Sequence, residues 1–329
     1  MRIALAACAV LSLAAPVSAR APCRKDAKAL LSYYADAKGR SRRRAPPSVD
    51  LGRMAPGEVD AFMREVQAKK PPLWKRIEVF SHIYLGVPYQ RGPLGEGPAG
   101  AFDTDPLISL QKVDCVTFIE QVLAMSFSRD LDSAEQVLRR IRYRDGVVRY
   151  KSRNHFAEAD WLPNNIAAGF MEDITAKVAG ADVRVASRTV DKAAWYEAKT
   201  TASLEGVELQ SLAEGEKARL AEALREAGMD VPAQPVSLPY LPMSALPKHL
   251  DALPSGAVLS LVREDQPDAP VLVSHQGLLV RHGGETFFRH AVQDEAVKDS
   301  PLLEYFYKYF NSSWRLCGLN VAYPREPRP

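Results

Sequence analysis

Cysteine is scarce in this sequence, four in 329 residues, and no two of the four stand close together. The paired-ligand spacing of a structural zinc site is therefore missing. A surplus of charge of one sign is missing too. Lys and Arg total 43 against 40 Asp and Glu, a formal net charge of +3, which argues against a nucleic-acid binder. Beyond the first residues no stretch is long and apolar enough to span a bilayer. There is no internal repeat and no low-complexity tract. One basic run, from Lys38 to Pro47, reads as a solvated linker.

What is present begins at the N-terminus. Met1-Arg2 is followed by an apolar run from Ile3 to about Pro16, then the small residues Val17-Ser18-Ala19. This pattern predicts a secretory signal peptide over residues 1–19, cleaved after Ala19, and an exported, periplasmic protein. A lipid anchor at Cys8, in Leu5-Ala6-Ala7-Cys8, is the minor alternative. Loss of Arg2 lowers the net charge from +3 to +2. Cys23, Cys115 and Cys317 then remain, an odd number in a compartment that permits disulfides. A Cys23–Cys317 bridge and three thiols are both open. Oligomeric state is not legible.

The patterning predicts helices over 25–36, 56–70 and 73–84, and a loop rich in Gly and Pro over 86–100. A helix opening at Cys115 runs to about Arg129. The next opens with Asp132 as N-cap and Glu135 as its capping-box partner. Val147–Tyr150 reads as a short strand, residues 182–209 as a mixture of short β-prone runs, 211–228 as an amphipathic helix and 231–247 as irregular. Strands are expected at Ala257–Val262, Val271–Val280, Glu285–His290 and Leu319–Tyr323, with a helix over 300–310. Helices first, then an antiparallel sheet, make an α+β fold. The division is a signal peptide (1–19), a helical segment with basic linker (20–72), and a main domain (73–329) with an insertion around 180–240.

Val113-Asp114-Cys115-Val116-Thr117-Phe118 places a thiol at the start of an apolar helix. Unpaired backbone N–H groups and the positive end of the helix dipole favour the thiolate there. Downstream, Ser274-His275-Gln276-Gly277 leads a strand, Gly283-Gly284 makes a turn, and the next strand ends at His290-Ala291. Two strands paired in the right register bring His275 and His290 together. Cys115 as nucleophile, His275 as base and His290 as its orienting partner then form a triad, with the Cys115 N–H as an oxyanion donor. A zinc site from the same three side chains has allowed ligand types but no supporting spacing.

Asp-Cys opening a helix, Ser-His-x-Gly and three apolar residues, then His-Ala, resembles the NlpC-type papain-like cell-wall cysteine hydrolases. Gly86-Val87-Pro88-Tyr89 resembles that superfamily's segment whose tyrosine lines the active site, which implies that Tyr89 sits near Cys115. Tyr143-Arg144-Asp145-Gly146, Ser152 to Phe156, Asp160-Trp161 and Asn165 resemble one branch, the N-acetylmuramoyl-L-alanine amidase-like family. The likeness spans roughly 75–323. It departs at Ala257, where aspartate is usual, and at Val292, where serine is usual. It implies a papain-like fold without a cofactor. It also implies hydrolysis of peptidoglycan fragments at the amide joining (anhydro)muramic acid to L-alanine. By this reading Arg153, His155, Asp160 and Trp161 wall the substrate pocket, Arg153 holding a carboxylate and Trp161 stacking on a sugar. A γ-D-glutamyl–diaminopimelate endopeptidase, with Asp114 and Tyr89 receiving a free amine, is the alternative. A non-catalytic peptidoglycan-binding module is a third reading.

Overall fold

In the computed structural model, residues 51, 54–267, 269–309 and 312–327 are described. Among them, helices α1 (Pro56–Ala68), α2 (Leu73–Ile83), α3 (Cys115–Ser126) and α4 (Leu131–Arg142) precede the first strand. Three later helices matter below: α5 (Lys192–Glu197), α6 (Glu214–Glu226) and α7 (Leu302–Lys308). The strands are β1 (Met171–Asp173), β2 (Arg184–Val190), β3 (Gln234–Pro242), β4 (Val258–Arg263), β5 (Val273–His282), β6 (Glu285–Ala291), β7 (Val297–Pro301) and β8 (Leu316–Pro324). They form one sheet in the order β2-β3-β8-β4-β5-β6-β7, with β1 also on β8, and every pairing is antiparallel. The α+β arrangement holds. The helix expected over 25–36, the signal peptide, Cys8 and Cys23 lie outside the described residues, while Cys317 is buried in β8.

Local chemistry fixes the start of α3. Asp114 Oδ1 accepts from the N–H groups of Val116 and Thr117 at 3.1 and 2.8 Å, and Thr117 Oγ1 accepts the Asp114 N–H at 2.8 Å. This reciprocal cap satisfies helix-end donors that would otherwise be orphans. From Thr117 to Ser126 every residue is buried, as expected of a helix enclosed on all sides. Inside it, Glu120 accepts from Arg142 Nε at 2.7 Å and from Trp161 Nε1 at 3.1 Å.

The core lies on both faces of the sheet. Val258, Val262 and Leu278 pack with Phe118 and Val122 on the helical side. Leu259, Leu261, Leu279 and Phe288 pack with Leu302 and Phe306 of α7 on the other. Two covered faces explain why β4 reads Val-Leu-Ser-Leu-Val without apolar–polar alternation. Arg289 ties sheet to helices. Its Nε and Nη2 donate to the two Asp299 oxygens at 2.6 and 2.7 Å, and its Nη1 to Ser81 Oγ at 3.0 Å.

Several expectations fail for identifiable reasons. Asp130, not Asp132, caps α4, because Ser133 sits at the reciprocating position and Asp130 Oδ1 accepts its N–H at 3.0 Å. Val147–Tyr150 is not a strand. Asp145 takes φ 57°, which turns the chain, and Tyr150–Ser152 closes a tight helical turn. Residues 234–242 form β3 despite Pro235, Pro239 and Pro242. Proline is tolerated where its missing donor faces an unpaired edge, and β8 joins β3 only at Leu241 and Pro242. The helix expected from residue 300 begins at Leu302, because Val297–Pro301 is taken up as β7.

Candidate active site

The pairing of β5 with β6 is set by a two-glycine turn, with His282 opposite Glu285 and Leu278 opposite Arg289. Continued one step, that ladder brings Gly277 opposite His290 and leaves His275 one diagonal away on the same face. The two imidazoles meet there, His275 Nε2 to His290 Nδ1 at 2.8 Å. β7 extends the diagonal. It pairs Phe288 with Ser300, and His290 Nε2 lies 3.1 Å from Ser300 Oγ. His275, His290 and Ser300 thus climb across three neighbouring strands. Gly277 makes room below them. A Cβ there would lie 2.5 Å from the Phe288 ring, which stacks on His290 with centroids 4.7 Å apart.

Cys115 begins the buried helix beside this corner and is half-buried. The backbone N–H of Gln276, the residue after His275, points at its sulfur. Burial and then the Asp114 carboxylate push the thiol up to about 12, although the N–H groups of Gln276, Val116 and Cys115 pull the other way. The expected thiolate preference of the helix N-terminus is thus outweighed by desolvation. Burial, followed by Arg263, holds His275 down at about 4. Burial and then His275 hold His290 at about 2. The pair is therefore thiol and neutral imidazole at neutral pH. Only one tautomer leaves His275 Nδ1 free as a base. His275 Nε2–H must donate to His290 Nδ1, and His290 Nε2–H to Ser300 Oγ.

The 86–92 segment runs beside Cys115. Tyr89 bridges Val113 in parallel, and Val113 N–H donates to Pro88 O at 3.1 Å. Burial, then the charges of Cys115 and Asp114, push the Tyr89 phenol up to about 12 and keep it a donor. The Asp114 carboxylate, besides capping α3, accepts the Gly92 N–H at 3.2 Å.

A cavity of about 320 Å³ opens here, walled by Asp114, Thr117 and Gln276 on one side and by Arg153, His155, Trp195, Lys199 and Glu205 on the other. Arg153 is partly occupied. Its Nη1 donates to Asp103 at 2.7 Å and its Nη2 to Leu94 O at 2.6 Å, so its carboxylate partner is Asp103. His155 bonds Tyr150 O through Nε2 at 2.8 Å, and burial keeps it uncharged. Asp160 does not wall this cavity. It holds Lys192 and borders a second space of about 180 Å³. Trp161 lines the cavity but is 1% exposed, with its N–H spent on Glu120, so it has no open face for a sugar. The aromatic with an accessible surface is Trp195 on α5, half-exposed and 4.8 Å from the His155 ring.

Sequence reasoning missed Trp195, Lys199, Glu205 and Ser300. Ser300 carried a weak signal, as a hydroxyl in the run after His290, but that run read as helix. Among the described residues, Asp103, Asp105 and Glu205 bring carboxylate oxygens within 4.8 Å of one another. Arg153 already supplies cationic charge to Asp103, and no cation requirement follows.

The profile of the AmiA-like family, N-acetylmuramoyl-L-alanine amidase-like, matches residues 79–311. No curated protein matches. A crystal structure of a Legionella pneumophila protein is 26% identical, with a TM-score of 0.76 over 83% of this chain and 96% of that one. A Bacteroides uniformis N-acetylmuramoyl-L-alanine amidase is similar in fold, at 21% identity and a TM-score of 0.57 over 78% of this chain and 100% of that one. A putative xylanase from Bacteroides fragilis is similar in fold at 24% identity, with a TM-score of 0.53 over 74% of this chain and 99% of that one. With its profile covering most of the sequence, the chain belongs to the N-acetylmuramoyl-L-alanine amidase-like family.

Proposed function

We propose that the chain is an exported cysteine amidase. It cleaves the amide between the lactyl group of (anhydro)N-acetylmuramic acid and L-alanine in peptidoglycan fragments. The observation that carries this reading is the His275–His290 bond of 2.8 Å, one residue from the Gln276 N–H that faces the Cys115 sulfur. A cysteine at a helix start, packed against a strand that carries a histidine, supports the papain-like reading.

The chemistry follows from two neutral groups. As the sulfur attacks the lactyl carbonyl, its proton passes to His275 Nδ1, and the resulting imidazolium is held by His290. The oxyanion receives the Cys115 N–H. His275 returns the proton to the departing L-alanine nitrogen as the C–N bond breaks, which leaves a thioester. Water, deprotonated by His275, then releases the lactyl carboxylate and regenerates the thiol.

Mature protein and its Cys115→Ala variant, incubated with an anhydro-disaccharide tetrapeptide, give the test by mass spectrometry. Free disaccharide and intact tetrapeptide from the wild type alone support the amidase. A sugar fragment retaining L-Ala–D-Glu supports the second reading, the γ-D-glutamyl–diaminopimelate endopeptidase. That reading draws on Asp114, whose carboxylate borders the cavity and can meet a free amine. No product from either bond sinks both. Intact export with loss of residues 1–19, seen by mass of the secreted form, tests the signal peptide separately.

A further inference from the structure

The stretch between β2 and β3 leaves the sheet, forms α5 and α6, and returns. Its residues line the cavity through Trp195, Lys199 and Glu205.

The charged side chains that line the cavity are three cations, Arg91, Arg153 and Lys199, and three carboxyls, Asp114, Glu120 and Glu205. Glu120 is bonded to Arg142, Arg153 to Asp103, and Asp114 accepts backbone N–H groups at the start of its own helix. Among the described residues, the side chains of Arg91, Lys199 and Glu205 have no salt bridge or hydrogen bond. Lys199 is held nonetheless. Its Nζ lies 3.3 Å from the centre of the Trp195 ring and 5.9 Å from that of Tyr150. An ammonium seated on an indole face is positioned without being neutralised, and its own hydrogen-bond donors stay available to a ligand.

Resting on the amidase reading, we propose that Lys199, seated on Trp195, is a specificity residue that binds the first carboxylate of the leaving peptide. Counted outward from the scissile amide, that group is the free α-carboxylate of a γ-linked D-glutamate. The opposing Glu205 is a weak deterrent. Burial and then Asp103 push its carboxyl up to about 7, so near neutral pH it carries only part of a charge. Burial also lowers the Lys199 ammonium to about 8, against the pull of Glu205 and with the push of Arg91 and Arg153. Selection for the carboxylate should therefore fade as the solution becomes alkaline.

The test compares two anhydro-muropeptides that differ only at the D-glutamate α-position, carboxylate in one and carboxamide in the other. Wild type should prefer the carboxylate by about tenfold in kcat/KM, mainly through KM, an effect of the size a charge-assisted hydrogen bond gives. In Lys199→Gln the ratio should collapse toward one, and in Lys199→Arg most of it should return. Equal cleavage of both substrates by wild type overturns the proposal, as does a Lys199→Gln loss shared equally by both. If wild type cuts neither, the amidase reading has failed. The subsite is then judged by calorimetry of the two stem peptides on Cys115→Ala, where equal affinities overturn it and tighter binding of the carboxylate supports it.

Discussion

The corner of Cys115, His275, His290 and Ser300 and the Trp195 side of the cavity are built in opposite ways. The corner is made of backbone decisions. A capped helix start places Cys115, and ladder register places His275, His290 and Ser300 along one diagonal. The Trp195 side is made of side chains on an excursion. Trp195 and Lys199 reach the cavity from short helical turns held by stacking and by a few bonds, such as Arg225 Nη1 to Lys199 O at 2.9 Å. Such a division lets reaction chemistry stay fixed while substrate choice changes, because loop residues can vary without moving the register.

That contrast can be broken experimentally. The largest effect belongs to the corner. Cys115→Ala should lower turnover by at least about 10⁴-fold and leave the melting temperature nearly unchanged. A large stability loss would mean that the cysteine is chiefly a packing residue. Next comes the helix beneath it. Glu120→Ala strands Arg142 in a site where their side chains are 3% and 1% exposed, and should cost about 3–5 kcal/mol in denaturant unfolding. A cost below about 1 kcal/mol would show that water reaches the pair.

A subtler effect is expected at Ser300. Ser300→Ala removes the group that receives the His290 N–H, so kcat should fall about threefold to tenfold with KM steady, and Ser300→Thr should recover most of it. Equal losses in Ala and Thr would point to packing instead. The mildest effect is on pH. With His275 held at about 4, kcat/KM should stay level from neutrality down to about pH 5 and fall below that as the base is protonated. Stability should follow the same sign. Unfolded histidine binds protons near pH 6.5 and the folded pair does not, so stability declines as pH drops from about 6.5 toward 4, by a few kcal/mol in total. A melting temperature constant from pH 7 to pH 5 would contradict the buried, neutral pair.

The two regions also differed in how much of them could be read beforehand. The α+β order and the hairpin of His275 and His290 follow from apolar periodicity, a diglycine turn and a capping aspartate, all of which are local. The cap of α4 was misplaced by two residues because Asp130 and Asp132 both precede a plausible partner, and only the Ser133 contact decides between them. β3 escaped notice because prolines signal a break, and only sheet position shows that their missing donors are harmless. Ser300 escaped because β7 is short and runs into α7. Arg153 reads as a residue that holds a substrate carboxylate, yet it already bonds Asp103, 50 positions away, a pairing no local pattern encodes. The Trp195 wall was illegible for the same reason.

The diagonal of His275, His290 and Ser300 has a consequence for how this molecule becomes active. Successive strand residues alternate between faces, so a slip of one residue in β6 would turn His290 away and bring Arg289 or Ala291 to its place. A partly assembled or misregistered sheet therefore holds a cysteine with no oriented base beside it. On the proposed mechanism the Cys115–His275 pair is complete only when three strands have closed in one alignment, so the ladder register would gate activity during folding.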